Sequence, residues 1–452
     1  MSSNFLRRYW LFAVLALLVA ATTASRLVSR SEKAIAPIVE PLPQDPHVQV
    51  FFNQSEAQVY TDPYRQITRH GDNLEQILIA SIEQATVSID IAVQALNLPL
   101  VSQALIERSK RGVAVRLILE NQYAPGGVQY QEDSPEGQGA LSVLAGTNVA
   151  QIDDTADGSK GSGLMHHKFL VIDRRWILTG SANLTMSGIH GDRNRPDSRG
   201  NANMLLKIDS PELADLFTQE FEHMWGDGPG KRLDSQFGLK KPFRPAQQVA
   251  LPNSYITLQF SPVSTKQPWQ SSVNGLISRT LQRSNQRIDM ALFVFSEQRL
   301  ANQLESRVRA GVALRALIDP AFIYRSYSEA LDMLGVSLPS QRCQIETDNR
   351  PWQYPIESVG LPQLPQGDKL HHKFAVIDDA TVVVGSQNWS QAANTKNDET
   401  LLVIESTTVA RHFVREFNRL YRNPAIGHTP KLRRQQEKSR SRCQSVQSKL
   451  QR

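Results

Sequence analysis

The chain has 452 residues, of which 50 are Lys or Arg and 44 are Asp or Glu, so its formal net charge is +6. Hydrophobic residues make up 40% of it, which excludes a disordered chain and is enough for two domains or one large duplicated domain. Residues 429–452 contain eight basic residues against the single acidic Glu437. The rest of the chain is therefore close to neutral, which excludes a basic stripe across its body.

The first thirty residues differ from the rest of the chain. Arg7 and Arg8 precede an apolar run, residues 9–21, which small residues follow. This order is typical of a signal peptide, and the run is shorter than the ~20 residues with which a helix spans a bilayer. We therefore predict an exported protein, periplasmic or secreted, with residues 1–30 as a signal peptide; an uncleaved membrane anchor is the alternative. The proline-containing residues 31–47 are predicted to form a spacer.

Strand and helix patterns then alternate along the chain. Residues 48–52 and 87–93 have the pattern of strands, as do residues 113–119, while residues 74–84 and 101–111 have the pattern of amphipathic helices. Such alternation predicts an α/β fold in which a mostly parallel sheet is flanked by helices.

The same series occurs twice. Ile89-Asp90-Ile91-Ala92 matches Ile288-Asp289-Met290-Ala291, at a spacing of about 200 residues that other pairs of segments keep. We therefore predict two duplicated halves, residues 48–226 and 254–424, related by a pseudo-two-fold axis with one active site between them. A linker, residues 227–253, joins the halves, and a basic tail, residues 425–452, follows them.

Each half contains the pattern His-x-Lys-x4-Asp, followed by Gly-Ser-x-Asn. The residues at these positions are His166, Lys168, Asp173, Ser181 and Asn183 in the first half and His371, Lys373, Asp378, Ser386 and Asn388 in the second. Residues two apart in a strand point to the same face, so the His and Lys of each motif lie side by side. A neutral imidazole is a nucleophile or an acid/base, an ammonium binds phosphate, and Ser and Asn donate hydrogen bonds. Two such sets facing each other can bind a phosphate and cleave it.

The doubled pattern resembles the signature of the phospholipase D superfamily. The resemblance implies that His166 attacks phosphorus to form a phosphohistidine, while His371 serves as acid and base. The implied catalytic set is His166, Lys168, Asp173, His371, Lys373, Asp378 and Glu399, and the implied phosphate-binding set is Ser181, Asn183, Ser386 and Asn388. Within the first set, the two aspartates are expected to hold the local structure of the motif. No metal and no cofactor is expected.

One position departs from the pattern of the family. Relatives usually have an acidic residue in the strand after Gly-Ser-x-Asn, where it accepts a hydrogen bond from a catalytic histidine. Glu399 matches this position in the second half, whereas the first half has Asn203. Two explanations remain open: Asp192 or Asp197, in an insertion of the first half, takes over the role, or the two histidines have exchanged roles.

The resemblance implies a phosphodiesterase that hydrolyses phospholipid headgroups, with transfer to alcohols as a side activity. A phosphatidyl transferase of the cardiolipin synthase type and a metal-independent endonuclease are the alternatives. The expected partner is accordingly a phospholipid or membrane surface, with nucleic acid as the alternative. The expected protein is a monomer with two internal halves.

Two features near the C-terminus leave alternatives open. Cys343 and Cys443 permit one disulfide that pins the tail near the mouth of the site, but two free thiols are also compatible with the sequence. The basic tail suits attraction to anionic lipid or nucleic acid, and equally a solvated, disordered end.

Overall fold

The structure, a computed structural model, describes residues 35–129, 139–159 and 161–450, with side chains given up to residue 445. The predicted signal peptide or anchor, residues 1–30, lies outside the described residues. Within those ranges, the helices are too short or too polar to cross a membrane.

The first half consists of a seven-stranded sheet, a small two-stranded ribbon and four helices. Its strands are β1 (Val48–Phe52), β2 (Val59–Thr61), β3 (Thr68–His70), β4 (Ser88–Val93), β5 (Ala114–Leu119), β6 (Ala150–Asp153), β7 (Lys168–Ile172), β8 (Trp176–Gly180) and β9 (Met204–Asp209). Its helices are α1 (Leu74–Glu83), α2 (Pro99–Lys110), α3 (Met186–Ile189) and α4 (Pro211–Trp225). The sheet has the order β1-β9-β8-β7-β4-β5-β6, and β2 pairs with β3.

The second half repeats this plan around a nine-stranded sheet. Its strands are β10 (Gln247–Leu251), β11 (Ser254–Ser261), β12 (Arg287–Leu292), β13 (Phe295–Ser296), β14 (Ala313–Ile318), β15 (Val359–Leu361), β16 (Lys373–Ile377), β17 (Thr381–Gly385), β18 (Trp389–Ser390), β19 (Glu399–Glu405) and β20 (Ala425–Ile426). Its helices are α5 (Val273–Gln282), α6 (Gln298–Arg309), α7 (Glu329–Met333), α8 (Gln391–Thr395), α9 (Thr407–Leu420) and α10 (Pro430–Leu450). The sheet has the order β10-β11-β19-β17-β16-β12-β14-β15-β20, and β13 pairs with β18.

The α/β class and the duplication are as predicted, but the prediction of mostly parallel sheets is wrong. Within the two large sheets as described, parallel pairing is confined to β4-β5-β6 and β12-β14-β15; outside them, the short strands β13 and β18 also pair in parallel. The motif strand β7 pairs antiparallel with both β4 and β8, and its counterpart β16 does the same with β12 and β17. The tight turn after each motif reverses the chain without a helix, which makes β8 and β17 antiparallel to the motif strands before them.

One hydrophobic core lies between the two sheets and contains the last long helix of each half. Ser210 and Ser406 cap α4 and α9, each by accepting a hydrogen bond from a backbone N–H in the first turn. Phe217 of α4 contacts both Phe169 of its own half and Phe260 of the other, with ring centroids 5.1 and 5.3 Å away. This shared core fixes how the halves face each other.

The segment predicted as a linker is part of the fold. Its strand β10 pairs antiparallel with β11, and Phe237 is fully buried in the core between the sheets. The predicted linker therefore runs into the second sheet, because strand β10 (Gln247–Leu251) lies within residues 227–253. Residues 35–47 also pack on the body, where His412 of α9 lies 3.1 Å from the carbonyl oxygen of Pro43.

The tail is ordered up to residue 450, so the alternative of a disordered end is wrong over that range. Helix α10 buries Leu432 completely, and Cys343 and Cys443 form a disulfide across 100 residues of sequence. Arg442 adds a hydrogen bond of 2.9 Å to the carbonyl oxygen of Ser340. The disulfide pins the tail to the loop between α7 and β15, which contains Cys343. This loop does not line the active-site cavity described below.

Candidate active site

The two motifs meet because each is joined to the other half just before its histidine. Isolated bridges pair Met165 with Asp398 and Ala202 with Leu370. The backbone N–H of His166 donates to the carbonyl oxygen of Asp398 at 3.0 Å, and that of His371 donates to Ala202 at 3.1 Å. Each motif histidine is therefore held beside the segment of the opposite half that contains Asn203 or Glu399.

The orienting residues act across the halves. His166 Nδ1 lies 2.6 Å from Glu399 Oε2, and His371 Nδ1 lies 2.9 Å from Asn203 Oδ1. The expectation that an aspartate of the insertion replaces a missing carboxylate is wrong: Asp192 pairs with Arg195 at 3.2 Å, and the described hydrogen bonds of both rings involve neither Asp192 nor Asp197. The histidine of the first motif therefore does have a carboxylate partner, which is Glu399 of the second half.

Both partners accept hydrogen bonds, so they set the tautomer of the rings. A carboxylate oxygen has no proton to give, and Asn203 is oriented by its own Nδ2, which donates to the carbonyl oxygen of Gly188 at 2.8 Å. Nδ1 of each histidine must therefore be the protonated nitrogen. In the neutral ring this leaves the lone pair on Nε2, the nitrogen available to a ligand in the cavity that His166 and His371 line.

Both rings are neutral in the free protein at neutral pH. Burial is the main cause that lowers the pKa of His166, to about 4; Glu399 opposes this effect, and Lys168 and Lys373 reinforce it. Burial likewise holds the pKa of His371 well below its ordinary value, with both lysines adding to the effect. A neutral imidazole is the form that can attack phosphorus.

The two lysines are buried beside the histidines. Lys168 Nζ donates to the carbonyl oxygen of His166 at 2.7 Å and to Gln94 Oε1 at 3.3 Å. Lys373 Nζ donates to the carbonyl oxygen of His371 at 2.7 Å and lies 5.0 Å from the ring centroid of Phe293.

Burial affects the charge of these ammonium groups as well. It lowers the pKa of Lys168 to about 7, against the attraction of Glu399, and that of Lys373 well below its ordinary value. Too little negative charge surrounds the two ammonium groups to offset their burial, so a bound anion would stabilise their charged form.

The serines and asparagines of the motifs have different positions. Ser181 and Ser386 are fully buried, and their hydroxyls donate to Asn203 at 2.8 Å and to Glu399 at 2.7 Å. The prediction that they bind phosphate is therefore wrong: they hold the residues that orient the histidines. Asn183 and Asn388 do line the cavity.

Asp173 and Asp378 lie outside the cavity lining and do not belong in the catalytic set. The carboxylate of Asp173 accepts hydrogen bonds of 2.7–2.9 Å from the backbone N–H groups of residues 86–88. That of Asp378 accepts three of 2.8 Å from residues 285–287. Both hold the turn after the motif strand against the start of the neighbouring strand.

The cavity has a volume of about 460 Å³ and is lined by both halves. Of the motif residues, His166, Asn183, His371 and Asn388 line the cavity, whereas Lys168 and Lys373 are buried and are not part of its wall. The wall also contains Gln94, Phe293 and Lys369, which the sequence did not reveal because nothing in their local pattern marks them. Elsewhere in the described ranges, Asp157, Asp227 and Asp234 lie close enough to hold a metal ion together. Arg232 lies 3.4 and 3.3 Å from the last two of these carboxylates.

Comparison with known proteins gives a family for this arrangement. The family model described as "Cardiolipin synthase, PLD-like domain" matches residues 78–225 and 277–421, well over half of the chain. The human mitochondrial cardiolipin hydrolase is 31% identical over 157 residues, which are 34% of this chain and 52% of that protein. A phospholipase D of Rickettsia prowazekii (strain Madrid E) is 28% identical over 146 residues, 32% of this chain and 60% of that one.

The chain thus spans little more than half the length of these curated relatives. The crystal structure of phosphatidylserine synthase from Haemophilus influenzae Rd KW20 superimposes with a TM-score of 0.58 at 12% identity, covering 91% of this chain and 95% of that one. That likeness concerns the fold. Together with the match of the family model to both halves, it identifies the chain as a member of the phospholipase D superfamily with two PLD-like domains.

Proposed function

We propose that the protein is a phosphodiesterase that hydrolyses phospholipid headgroups through a phosphohistidine, and that transfers the phosphatidyl group to alcohols when these replace water. The observation that carries this proposal is the pair of neutral histidines in one cavity, each fixed through Nδ1 by the opposite half. The names of the curated relatives, cardiolipin hydrolase and phospholipase D, support a lipid phosphodiester as substrate.

The two orienting residues support different roles for the histidines. Glu399 is a carboxylate that stabilises positive charge on the ring of His166, as its phosphorylated form requires. Asn203 offers no such stabilisation, so the protonated ring of His371 is the stronger acid and suits protonation of a leaving oxygen. We therefore infer that His166 is the nucleophile and His371 the acid and base.

The first step forms a bond between His166 Nε2 and phosphorus and breaks the bond from phosphorus to the headgroup oxygen. His371, neutral in the free protein, takes up a proton from water at Nε2 when the phosphodiester anion binds, and the headgroup oxygen takes this proton together with the electron pair of the broken bond. Lys168, Lys373, Asn183 and Asn388 donate to the phosphate oxygens. These fixed donors offset the charge that grows in the transition state.

The second step reverses the chemistry with a new acceptor. His371 Nε2 removes a proton from water, the water oxygen bonds to phosphorus, and the bond to His166 breaks. The product from water is phosphatidic acid. An alcohol gives a phosphatidyl alcohol, and a lipid alcohol gives the product of a phosphatidyl transferase, our second candidate, which the description of the matching family model favours.

We also propose that the protein is exported and acts at a membrane surface as a monomer with two internal halves. The disulfide between Cys343 and Cys443 supports an oxidising compartment outside the cytoplasm. Separation of periplasmic, membrane and medium fractions of expressing cells, with sequencing of the mature N-terminus, tests this proposal; full-length protein in the cytoplasm would contradict it.

The test of the activity uses the full-length protein, vesicles of mixed phospholipids, excess chelator and a short primary alcohol, with lipids measured by mass spectrometry. We expect phosphatidic acid together with phosphatidyl alcohol. The His166→Ala variant is the control, because it keeps the fold but has no nucleophile. Parallel reactions contain a lipid with a free headgroup alcohol, as the acceptor for the transferase, and single- and double-stranded DNA.

The outcomes separate the candidates. Lipid products that need only water or a short alcohol support the hydrolase, whereas turnover that requires the lipid alcohol supports the transferase. Cleavage of DNA in chelator without any lipid product would replace both by the endonuclease. Lipid products that persist in His166→Ala would remove the proposed mechanism.

A further inference from the structure

A group of three hydrogen-bond donors lies on one side of the active-site cavity, apart from the motif residues. Its members are Lys369, Asn201 and Ser187, which we call the rim cluster, and all three line the cavity. They are neighbours in space because the backbone N–H of Lys369 donates to Asn201 Oδ1 at 2.9 Å and that of Asn201 donates to the carbonyl oxygen of Ser187 at 2.9 Å. The cluster is thus a fixed structural unit that joins the two halves.

Lys369 brings an unpaired positive charge to the cavity. Among the described residues, none forms an ion pair or hydrogen bond with its ammonium group. The nearest carboxylate in sequence, Asp368, is occupied by the insertion of the first half: it accepts hydrogen bonds from the hydroxyl of Ser198 and, at 2.8 Å, from the backbone N–H of Arg199. Lys369 also acts on the buried Asp319, whose pKa it helps to lower against the effect of burial, but that carboxylate accepts hydrogen bonds from the backbone N–H groups of Ala321 and Leu370 and lies outside the cavity lining. The N–H donors of the ammonium group are therefore left for a ligand.

The rest of the cavity wall does not offset this charge. Its lining within the described residues contains amides, hydroxyls, aliphatic groups, Tyr123 and Phe293, but no Asp or Glu. A cationic headgroup would meet repulsion from Lys369, and the described part of the wall offers it no carboxylate. An anionic group would meet an ammonium at a site that already holds polar donors.

The position of Lys369 relates the cluster to one part of the substrate. Lys369 precedes His371 by two residues in an extended segment that pairs with Ala202, so both side chains lie on the same side of that segment. His371 is the proposed acid, which must touch the departing headgroup oxygen. The matching position before His166 is Leu164, which also lines the cavity and is uncharged. The charge thus lies on the side of the leaving group.

We propose that the rim cluster is a second anion subsite, and that the preferred substrate is a phospholipid whose departing headgroup carries a negative charge of its own, as a carboxylate or a second phosphodiester. This inference rests on the proposed lipid function and names the substrate class of that same site. Lys369 determines specificity in it, while the motif residues perform the chemistry.

The experiment compares kcat/KM of the full-length protein on vesicles with four headgroups. Phosphatidylglycerol has a neutral leaving alcohol, phosphatidylcholine a cationic one, phosphatidylserine one with a carboxylate, and cardiolipin one with a second phosphodiester. Lys369→Met keeps the length of the side chain and removes its charge, Lys369→Arg retains the charge, and Lys266→Met removes one charge from an exposed lysine that does not line the cavity.

We expect Lys369→Met to lose roughly tenfold in kcat/KM on the lipids with an anionic leaving group and to change by less than about twofold on phosphatidylglycerol. Lys369→Arg should restore the preference, and Lys266→Met should leave it unchanged. If Lys369→Met loses kcat/KM only on phosphatidylserine, the subsite binds a carboxylate; if it loses kcat/KM only on cardiolipin, the subsite binds a second phosphodiester. An equal loss on all four lipids would overturn the proposal, since Lys369 would then act on His371 and not on the headgroup.

The same variants are tested on the soluble, deacylated forms of the four lipids. If intact lipids are refused but Lys369→Met still loses turnover selectively on the anionic soluble diesters, the subsite exists and the lipid function fails. If lipids are cleaved with no difference between headgroups in either series, the lipid function is retained and the subsite fails.

Discussion

At the scale of single residues, matching positions of the two halves differ in charge where the chemistry differs. Glu399 and Asn203 occupy equivalent places at the start of their strands, and each receives a hydrogen bond from the serine of its own half. Burial raises the pKa of Glu399, but the interactions with His166, Lys168 and the Ser386 hydroxyl lower it by more, so the carboxylate stays charged. His166 therefore has an anionic partner and His371 a neutral one.

This difference predicts distinct defects for the two histidines. Against bis(p-nitrophenyl) phosphate, whose leaving group departs without a proton, His371→Ala should still form the phosphohistidine but fail to hydrolyse it, whereas His166→Ala should form none. Both should lose at least about a thousandfold in steady-state turnover. Rapid-mixing measurement of nitrophenol release, with mass spectrometry of the acid-sensitive adduct, checks this. An adduct that forms in His166→Ala and is lost in His371→Ala would reverse the two roles.

The orienting residues predict shifts of the pH profile. Asn203→Asp places a negative charge beside His371, which favours the imidazolium, so the activity that needs protonated His371 should persist to a pH higher by about 1–3 units. Glu399→Gln removes the charge that raises the pKa of His166, so the neutral nucleophile should persist to lower pH at a reduced rate. Profiles of kcat/KM against pH test both changes. If both variants shifted the same side of the pH profile, acid or alkaline, the pairing of His166 with Glu399 and of His371 with Asn203 would be contradicted.

At the scale of elements, the turns after the two motif strands use the same device. Asp173 and Arg174 have φ of 51° and 50°, and Asp378 and Asp379 have 51° and 54°. Two consecutive residues in the left-handed region fit the tight turns that join antiparallel strands, and Asp tolerates this region better than most residues. The aspartate of each motif thus belongs to a hairpin and not to the cavity lining.

Asp173→Ala should therefore lower stability and spare the chemistry. It removes the acceptor of the backbone N–H groups of residues 86–88, which we expect to cost about 1–3 kcal/mol of unfolding free energy. The net effect of those bonds lowers the pKa of Asp173, although burial acts to raise it. The loss should accordingly be full above the unfolded pKa of about 4 and vanish as the pH falls through the lower folded pKa. Urea unfolding measures the loss of stability, and Asp215→Ala, at an exposed position, is the control. A hundredfold loss of turnover per folded molecule would contradict the prediction and show that Asp173 contributes to the chemistry.

The C-terminal helix gives a second prediction at this scale. Cys443→Ser opens the covalent link across 100 residues and should lower the unfolding free energy by about 2–4 kcal/mol. Turnover should change little, because neither cysteine lines the cavity. Denaturant unfolding and lipid turnover of Cys343→Ser, Cys443→Ser and the double variant test this. The three should agree; a stability loss that adds up in the double variant would mean that the cysteines act separately.

At the scale of the whole molecule, a buried ion network joins the halves beneath the site. Lys241 is fully buried and forms ion pairs with Glu220 of α4 and, at 2.7 Å, with Asp398, which precedes Glu399. Glu220 also lies 3.2 Å from His167 and 2.9 Å from Arg244. The carbonyl oxygen of Asp398 accepts the hydrogen bond of the backbone N–H of His166, so the network connects the packing of the halves to the position of the proposed nucleophile.

Lys241→Met should therefore cost both stability and activity. It leaves two buried carboxylates short of a positive partner, which we expect to lower the unfolding free energy by about 3–5 kcal/mol. Turnover of the folded protein should fall because Asp398 shifts beside His166. The neighbouring exposed Lys240→Met is the control, and urea unfolding with lipid turnover is the measurement. Wild-type stability in Lys241→Met would show that the network is dispensable.

Much of the fold and part of the site were predictable from sequence. Periodicity located β1, β4, β5, α1 and α2 of the first half, and the spacing of the repeat gave two halves with paired His and Lys residues. The pairing direction of β7 was missed because alternation of strands and helices was extended to a region where a tight turn joins the strands. Ser181 and Ser386 were misassigned because a hydroxyl suits a phosphate as well as it suits the amide or carboxylate it contacts.

The sequence by itself determined the family, the duplication and the chemical groups, because these depend on residue types at fixed spacing along one chain. Only the tertiary structure decided that Glu399 serves His166 and Asn203 serves His371, and that Lys369 joins the cavity. Those contacts form between segments more than 160 residues apart, and their geometry follows from how two sheets pack over a shared core. Local propensity carries no information about such packing, since it describes neighbours in sequence and not neighbours in space.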